Sequence, residues 1–449
     1  ARKPEYMERS TDTEFSIQNY READKRLAAY ERISAKAEAI LNKLDKEAVP
    51  AFFQLVYYNV KGAALVNQMT LNAQKNRLYA SQKRSAANLL RSRVKAYGDS
   101  LEIITKRYNS LLNGKWQGMM SLIHGGARSF ERARTDSVSL SPVPTLGVSC
   151  EAADNMKGVS NVHVIPCFNK YLPQSYYVDV FNSGMGKLKW KAVPSDPWIL
   201  VNKKSGATYS EERINVSVDW SKVPVGESVS GSIDISSGSG EKQTVFVSVF
   251  NPETPSVEEL KGLYVENNGY VSIDATGFHR KREDANIKFD VVEGLGFDNK
   301  VMRLGDAFAK TPYLDGLILT SNYVAPVRGD KYPVLEYDFY SFQTGPVDVY
   351  TYMMPIFPLD NEHGSRYGVM VDNSPVYLPE AGATYYSTPW IQSVLRNCRI
   401  NKTTHFINKP GKHTVKIYCA HPGMMLQKIV VDFGGLKRSY MGPETTRIN

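Results

Sequence analysis

Lys409-Pro410-Gly411-Lys412-His413-Thr414-Val415-Lys416-Ile417-Tyr418 and Leu426-Gln427-Lys428-Ile429-Val430-Val431-Asp432-Phe433-Gly434-Gly435 decide how the last part of this chain is read. Val415, Ile417 and Cys419 alternate with Thr414, Lys416 and Tyr418. Ile429, Val431 and Phe433 alternate with Lys428, Val430 and Asp432. A period of two sends successive side chains to opposite faces, and the Pro-Gly and Gly-Gly bounds are turn chemistry. The pattern predicts a half-buried antiparallel strand pair.

The same alternation extends upstream. Leu335, Tyr337 and Phe339 alternate with Glu336 and Asp338, and Val347 and Val349 with Asp348 and Tyr350. Residues 256–449 are therefore expected to form a jelly-roll β-sandwich resembling a carbohydrate-binding module. Before them, Tyr176–Val180, Arg213–Val218 and two runs between Val229 and Val249 read as short strands split by turn clusters such as Ser236-Ser237-Gly238-Ser239-Gly240. That spacing predicts an Ig-like β-sandwich over 137–255. It is bounded by Ser137–Pro144 and by Asn251-Pro252-Glu253-Thr254-Pro255, both of linker composition.

Residues 1–136 have a different period. Leu27, Tyr30, Ser34, Ala37, Leu41 and Leu44 recur at three-four spacing, and Pro50 interrupts the pattern. Phe52, Leu55, Val56, Val60, Leu65 and Met69 then supply the core of a helix over about 51–82. Leu89, Val94, Leu101, Ile104, Tyr108 and Leu111 supply that of a helix over about 85–112. Three long helices with short connections predict an antiparallel bundle. The fold class is thus multidomain, α plus all-β.

The composition, 42% hydrophobic and 22% charged, is that of an ordinary soluble globular protein. No apolar run approaches the ~20 residues of a membrane helix. The opening Ala1-Arg2-Lys3-Pro4-Glu5 has no signal-peptide pattern and leaves the compartment open. Cys150, Cys167, Cys398 and Cys419 include no CxxC pair, which argues against a zinc site. Cys398 and Cys419 are close enough in pattern to pair; four buried thiols is the simpler reading. The net charge of +9 is unevenly placed. Ala48 to Gly98 contains no acid but eight bases: Lys61, Lys75, Arg77, Lys83, Arg84, Arg91, Arg93 and Lys95. A one-sign helix surface attracts anions. A solvated face is the plain alternative, and no nucleic-acid module accompanies the charge.

Several segments together carry a resemblance. Asn19-Tyr20-Arg21-Glu22-Ala23, Phe52-Phe53-Gln54-Leu55-Val56, Asn76-Arg77-Leu78-Tyr79-Ala80 and Lys115-Trp116 lie in the helical part. Asp196-Pro197-Trp198-Ile199, Val218-Asp219-Trp220, Gly269-Tyr270-Val271-Ser272-Ile273, Leu335–Tyr340 and Leu426–Asp432 follow in order. With Arg2-Lys3-Pro4-Glu5 at the start, the chain resembles the C-terminal half of the family 115 glycoside hydrolases, the xylan α-glucuronidases. Where that family continues Lys115-Trp116-Gln117-Gly118-Met119-Met120 with an aspartate-glutamine pair and then His-Ile-Gly-Tyr, this chain has Ser121-Leu122-Ile123-His124-Gly125-Gly126-Ala127. Near Trp390, a pair of asparagines is replaced by Asn397-Cys398.

The resemblance implies an inverting hydrolase whose catalytic groups sit on an upstream (β/α) barrel of the same polypeptide. This chain then holds no catalytic residue, metal or cofactor, and helps wall the cleft that removes (4-O-methyl)glucuronic acid from xylan. Its acids Glu212, Asp219, Glu336 and Asp338 read as solvent-facing. A uronic acid is an anion, so the basic helices offer Lys61, Asn67, Arg77, Arg84, Trp116 and His124 as substrate contacts. Sugar sites also need aromatic platforms, for which Tyr270, Tyr350, Tyr352 and Trp390, with Tyr385 and Tyr386, are the candidates. Expected partners are the upstream barrel and a uronic-acid-bearing polysaccharide, with no nucleic acid or membrane. The family context implies a periplasmic or secreted enzyme. The rival readings are a stand-alone glycan-binding or adhesion protein and a homodimer held by the same aromatics.

Overall fold

Pro50 sits in the first turn of a helix, where its missing N–H would have had no partner anyway. The computed structural model describes residues 12–121, 133–153, 162–309, 324–325, 332–357 and 365–449. Its helical part comprises α1 (Glu22–Leu41), α2 (Val49–Phe52), α3 (Tyr58–Ser81) and α4 (Ala86–Gly114). The turn between α2 and α3, Phe53–Tyr57, is π-helical. A π turn takes up more residues than an α turn, so side chains there rotate relative to a continuous α-helix. Phe53 and Tyr57 are thereby buried, while Leu55 is 69% and Val56 40% exposed, against their expected places in the core. Ala37, Leu65, Leu101, Ile104 and Tyr108 complete the bundle core. Small Ser34 and Ala37 are the buried residues at mid-α1.

The middle part contains two sheets. One has four strands, in the spatial order Leu146–Cys150, Tyr176–Asn182, Glu211–Val218 and Ile199–Val201. The other has six, built around Lys242–Asn251, Gly226–Ser237 and Leu188–Pro194. Pairing is antiparallel except where His163–Val164 and Phe168–Asn169 add to one edge. Val178, Val180, Ile214 and Val216 of the first sheet share a core with Trp190, Ile233, Ile235, Val245 and Val247 of the second.

The last part also has two sheets, of seven and six strands, sharing one core. Gly411–Cys419 pairs with Val334–Ser341 and Tyr367–Val371 in the first. Met424–Asp432 pairs with Gly345–Met353, Tyr270–Asp274 and Lys300–Leu304 in the second. The two strands expected to pair therefore lie in different sheets, and residues 420–423 carry the chain across. Their alternation was real: Val415, Ile417, Ile429 and Val431 enter the same core. A period of two reports the buried face and not the neighbour. Met424–Asp432 is buried on both faces, because Val430 packs with Tyr270 and Tyr352 beneath Tyr20 and Leu436.

Asp338 also departs from expectation. It is buried, accepts both Nη groups of Arg280, and pairs with Lys412. Burial raises its pKa, but these bonds outweigh that and hold it well below the usual carboxylate range. All four cysteines are free thiols. Burial pushes Cys398 and Cys419 up to about 12, which makes them poor nucleophiles.

The final residues form a strap joining the helices to the last pair of sheets. Asn19 Nδ2 donates to the Arg438 carbonyl, and the Lys437 amide donates to Tyr20 Oη. The buried Glu22 carboxylate accepts the amides of Ser16, Tyr440 and Met441. Lys428 Nζ donates to the carbonyls of Met441 and Pro443, at 3.1 and 2.8 Å. Glu22→Ala leaves these amides without their acceptor and is expected to cost about 1–3 kcal/mol. Trypsin should then cut after Lys437 or Arg438 several-fold faster than in the parent. An unchanged digestion rate and midpoint would remove Glu22 as the clasp.

Candidate functional site

The acid-free stretch meets its acids elsewhere in the fold. Lys61 Nζ is 3.6 Å from Glu38 on α1, and Lys75 Nζ is 3.8 Å from Asp24. Arg77 pairs with Asp12 and donates to the Arg134 carbonyl. Asn67 accepts from Arg26 Nε at 2.7 Å and donates to the Ala63 carbonyl at 2.8 Å. Lys83, Arg91, Arg93 and Lys95 are exposed and have no ion pair among the described residues. Trp116 packs against the end of the bundle, with Lys115 Nζ 5.1 Å from its ring centroid. His124 lies outside the described residues.

Arg84 is enclosed where α4 meets the middle sheets. Its Nη1 lies 3.2 Å from both Asp179 and Glu211, and its Nε donates to Gln82. Its guanidinium lies 3.9 Å from the Tyr79 ring centroid and 4.5 Å from that of Phe181. Arg213 grips Asp179 with Nε and Nη2 and reaches Asp24 with Nη1. Burial raises the Asp179 pKa, yet hydrogen bonds from Arg213 and the charge of Arg84 bring it below the ordinary value. Glu211 is raised, by burial and by the neighbouring Asp179 charge. The group couples helices to sheets and has little room for a ligand.

The aromatic candidates divide by cover. Tyr270 and Tyr352 are buried in the strap cluster, where Tyr20 meets Tyr270 edge-on at 6.0 Å. Tyr350 is half-buried at the margin of that cluster. Tyr385 and Tyr386, by contrast, are 57% and 52% exposed. Their rings lie 4.8 and 5.4 Å from that of Trp390, and 4.2 Å from each other. Trp390 stands in the first turn of α5 (Thr388–Arg396), whose N-cap Ser387 accepts its amide hydrogen. Tyr386 is held at φ +61°, a backbone region that bulky residues rarely occupy. Three mutually braced rings make a surface on which apolar sugar faces can stack. Among the described residues no group of acidic, cysteine and histidine side chains could hold a metal ion.

Comparison with known proteins places part of this architecture. Residues 263–445 match the sequence family described as the glycosyl hydrolase family 115 C-terminal domain. A solved family GH115 4-O-methyl-α-glucuronidase, BtGH115A, with specificity for decorated arabinogalactans, has a similar fold. The TM-score is 0.52 at 18% identity, over 96% of this chain and 37% of that one. The chain thus spans about 37% of that enzyme's length. Weaker overlaps include a Podospora anserina GH26-CBM35 β-(1,4)-mannanase (TM-score 0.22, 13% identity, 37% of this chain and 28% of that one). No curated protein matches the chain.

Proposed function

We propose that this chain, whose residues 263–445 match the family 115 C-terminal domain, is the non-catalytic C-terminal portion of an α-glucuronidase. The observation that carries the reading is that family match, extended by a fold likeness over nearly the whole chain. In this reading residues 1–136 are a helical bundle that walls the active-site cleft of an upstream barrel in the same polypeptide. Residues 137–255 are an Ig-like sandwich and residues 256–449 a jelly roll. The substrate is a glycan decorated with (4-O-methyl)glucuronic acid. Xylan is the backbone suggested by the sequence resemblance, and arabinogalactan the one in the neighbour's description. A periplasmic or secreted location suits such a substrate.

Lys61 is the cleft contact we favour. Its partner Glu38 is half exposed, and at 3.6 Å the pair is weak enough to yield to a substrate carboxylate. The purified chain is expected to release no uronic acid from glucuronoxylan or from glucuronidated arabinogalactan. In the enzyme extended through its barrel, Lys61→Ala is expected to lower kcat/KM about tenfold, the loss of one charge-assisted hydrogen bond. Turnover by the 449-residue chain alone would overturn the assignment.

The exposed Tyr385 and Tyr386, packed on a partly buried Trp390, favour a second reading, a glycan-binding or adhesion role independent of hydrolysis. It predicts polysaccharide affinity that Trp390→Ala removes. The same rings are the proposed contact if the protein forms a homodimer.

A further inference from the structure

Outside these regions, an open cleft of about 540 Å³ lies at one end of the middle sheets. Three segments wall it: Val143–Thr145, Lys187–Lys189 and the Ser237–Glu241 turn. That volume falls within the usual range for small-molecule pockets, ~300–1,000 Å³.

The walls are built from within. Asn182 is fully buried, and its side chain ties together the backbone of four positions. Its Oδ1 accepts the amides of Thr145 and Gly184, and its Nδ2 donates to the carbonyls of Gly186 and Tyr209. Gly184 permits the close approach of the first two walls, since a Cβ there would lie 1.8 Å from the Val143 carbonyl oxygen. Ser85 Oγ donates to the same Tyr209 carbonyl. Tyr209 therefore presents an exposed ring from a fixed backbone, with Lys187 Nζ 5.9 Å from its centroid.

The lining has a definite chemistry. Lys187 and Lys189 are exposed and form no ion pair among the described residues. Across from them, Glu241 Oε2 accepts the Leu146 amide and the hydroxyls of Ser237 and Ser239, leaving Oε1 as an acceptor. Two ammonium groups select an anion. A carboxylate acceptor and clustered hydroxyls select a polyol, and the exposed Tyr209 ring, outside the lining but beside Lys187, extends the site with an aromatic face.

We infer that this cleft binds an acidic saccharide, with the carboxylate at Lys187 and Lys189, ring hydroxyls at Glu241 and the serines, and the apolar sugar face near Tyr209. The site is separate from the Trp390 cluster and does not depend on the hydrolase reading.

Saturation-transfer NMR on the purified chain, with glucuronic acid and glucose as probes, tests it. Glucuronic acid is expected to show transfer and glucose at equal concentration at least tenfold less. Lys187→Glu combined with Lys189→Glu should abolish the glucuronic acid response, and Tyr209→Ala should weaken it several-fold. All three residues are exposed, so folding, checked by near-UV circular dichroism, should be unaffected. Trp390→Ala should leave the response intact. An unchanged response in the double variant, an equal response to glucose, or loss only in Trp390→Ala would overturn the proposal. Sulfate displacing glucuronic acid at equal concentration, with Tyr209→Ala silent, would reduce the site to a plain anion contact and overturn its saccharide assignment. None of these readouts requires turnover, so an inactive chain does not bear on them.

Discussion

Arg84→Ala is expected to destabilise the protein by about 3–5 kcal/mol, the typical cost of removing one partner from a buried ion pair. Arg84 is 2% exposed, and its charge is balanced by Asp179 and Glu211 and flanked by the rings of Tyr79 and Phe181. Alanine removes the cation and leaves a space between two aromatic faces. Asp179 keeps Arg213, but Glu211 loses the Arg84 Nη1 bond. Arg84→Lys is expected to recover only part of the loss, because an ammonium cannot make the planar contacts of a guanidinium. Urea denaturation followed by tryptophan fluorescence measures the effect. Limited proteolysis should show faster cleavage between the helices and the middle sheets. A midpoint shift equivalent to less than ~1 kcal/mol would mean that the junction is held by packing alone.

Acidification should expose a second large term, at His405. The ring is 5% exposed, between Ser374 Oγ at Nδ1 and Thr403 Oγ1 at Nε2, each 2.9 Å away, with Tyr377 edge-on at 5.0 Å. Burial lowers its pKa from 6.5 to about 4. The unfolded chain thus takes up the proton first. The stability contribution is complete above pH ~6.5 and is lost as the pH falls through the folded value. Over two pH units this amounts to about 2–3 kcal/mol. Buried Glu22, Glu151 and Glu266 have raised pKa values, all chiefly from burial, and their slope has the opposite sign just above the ordinary carboxylate range. The comparison that isolates His405 is therefore between the parent and His405→Gln. The stability difference between the two should change by about 2–3 kcal/mol between pH 7 and 4.5. Parallel curves would assign the acid sensitivity to other groups.

Local patterns were legible where the cause was local. The three-four spacing of Val94, Leu101, Ile104 and Tyr108 marked the buried face of α4, although Leu89, expected in the same core, is 47% exposed. The alternation around Tyr337, Val349, Ile417 and Val431 marked one continuous core. A local pattern could not say which sheet each strand joins, and so Gly411–Cys419 and Met424–Asp432 looked like partners. Nor could it place the π turn, which moves Leu55 and Val56 outward without altering composition. Arg84 looked like one base among eight because its two acids lie 95 and 127 residues away. The cleft beside Tyr209 had no sequence signature, since its three walls are far apart in the chain; Asn182 ties the first to the second, and the third is joined by the Gly238 amide to the Lys189 carbonyl and by the Leu146 amide to Glu241.

The strap gives the protein an uneven response to force. Residues 437–441 hold Asn19, Tyr20 and Glu22, while Thr446 and Ile448 bond back to Ser272 and Leu263. Tension applied at the last residue first peels the pairs at Ile448 and Thr446. It then reaches the Lys428 ammonium, and after that the Glu22 carboxylate. These bonds rupture one after another and not in parallel. The helices are thus released late, only after each earlier bond has given way. Under such a load the helices stay seated until the bonds of Arg438 and Lys437 to Asn19 and Tyr20 open.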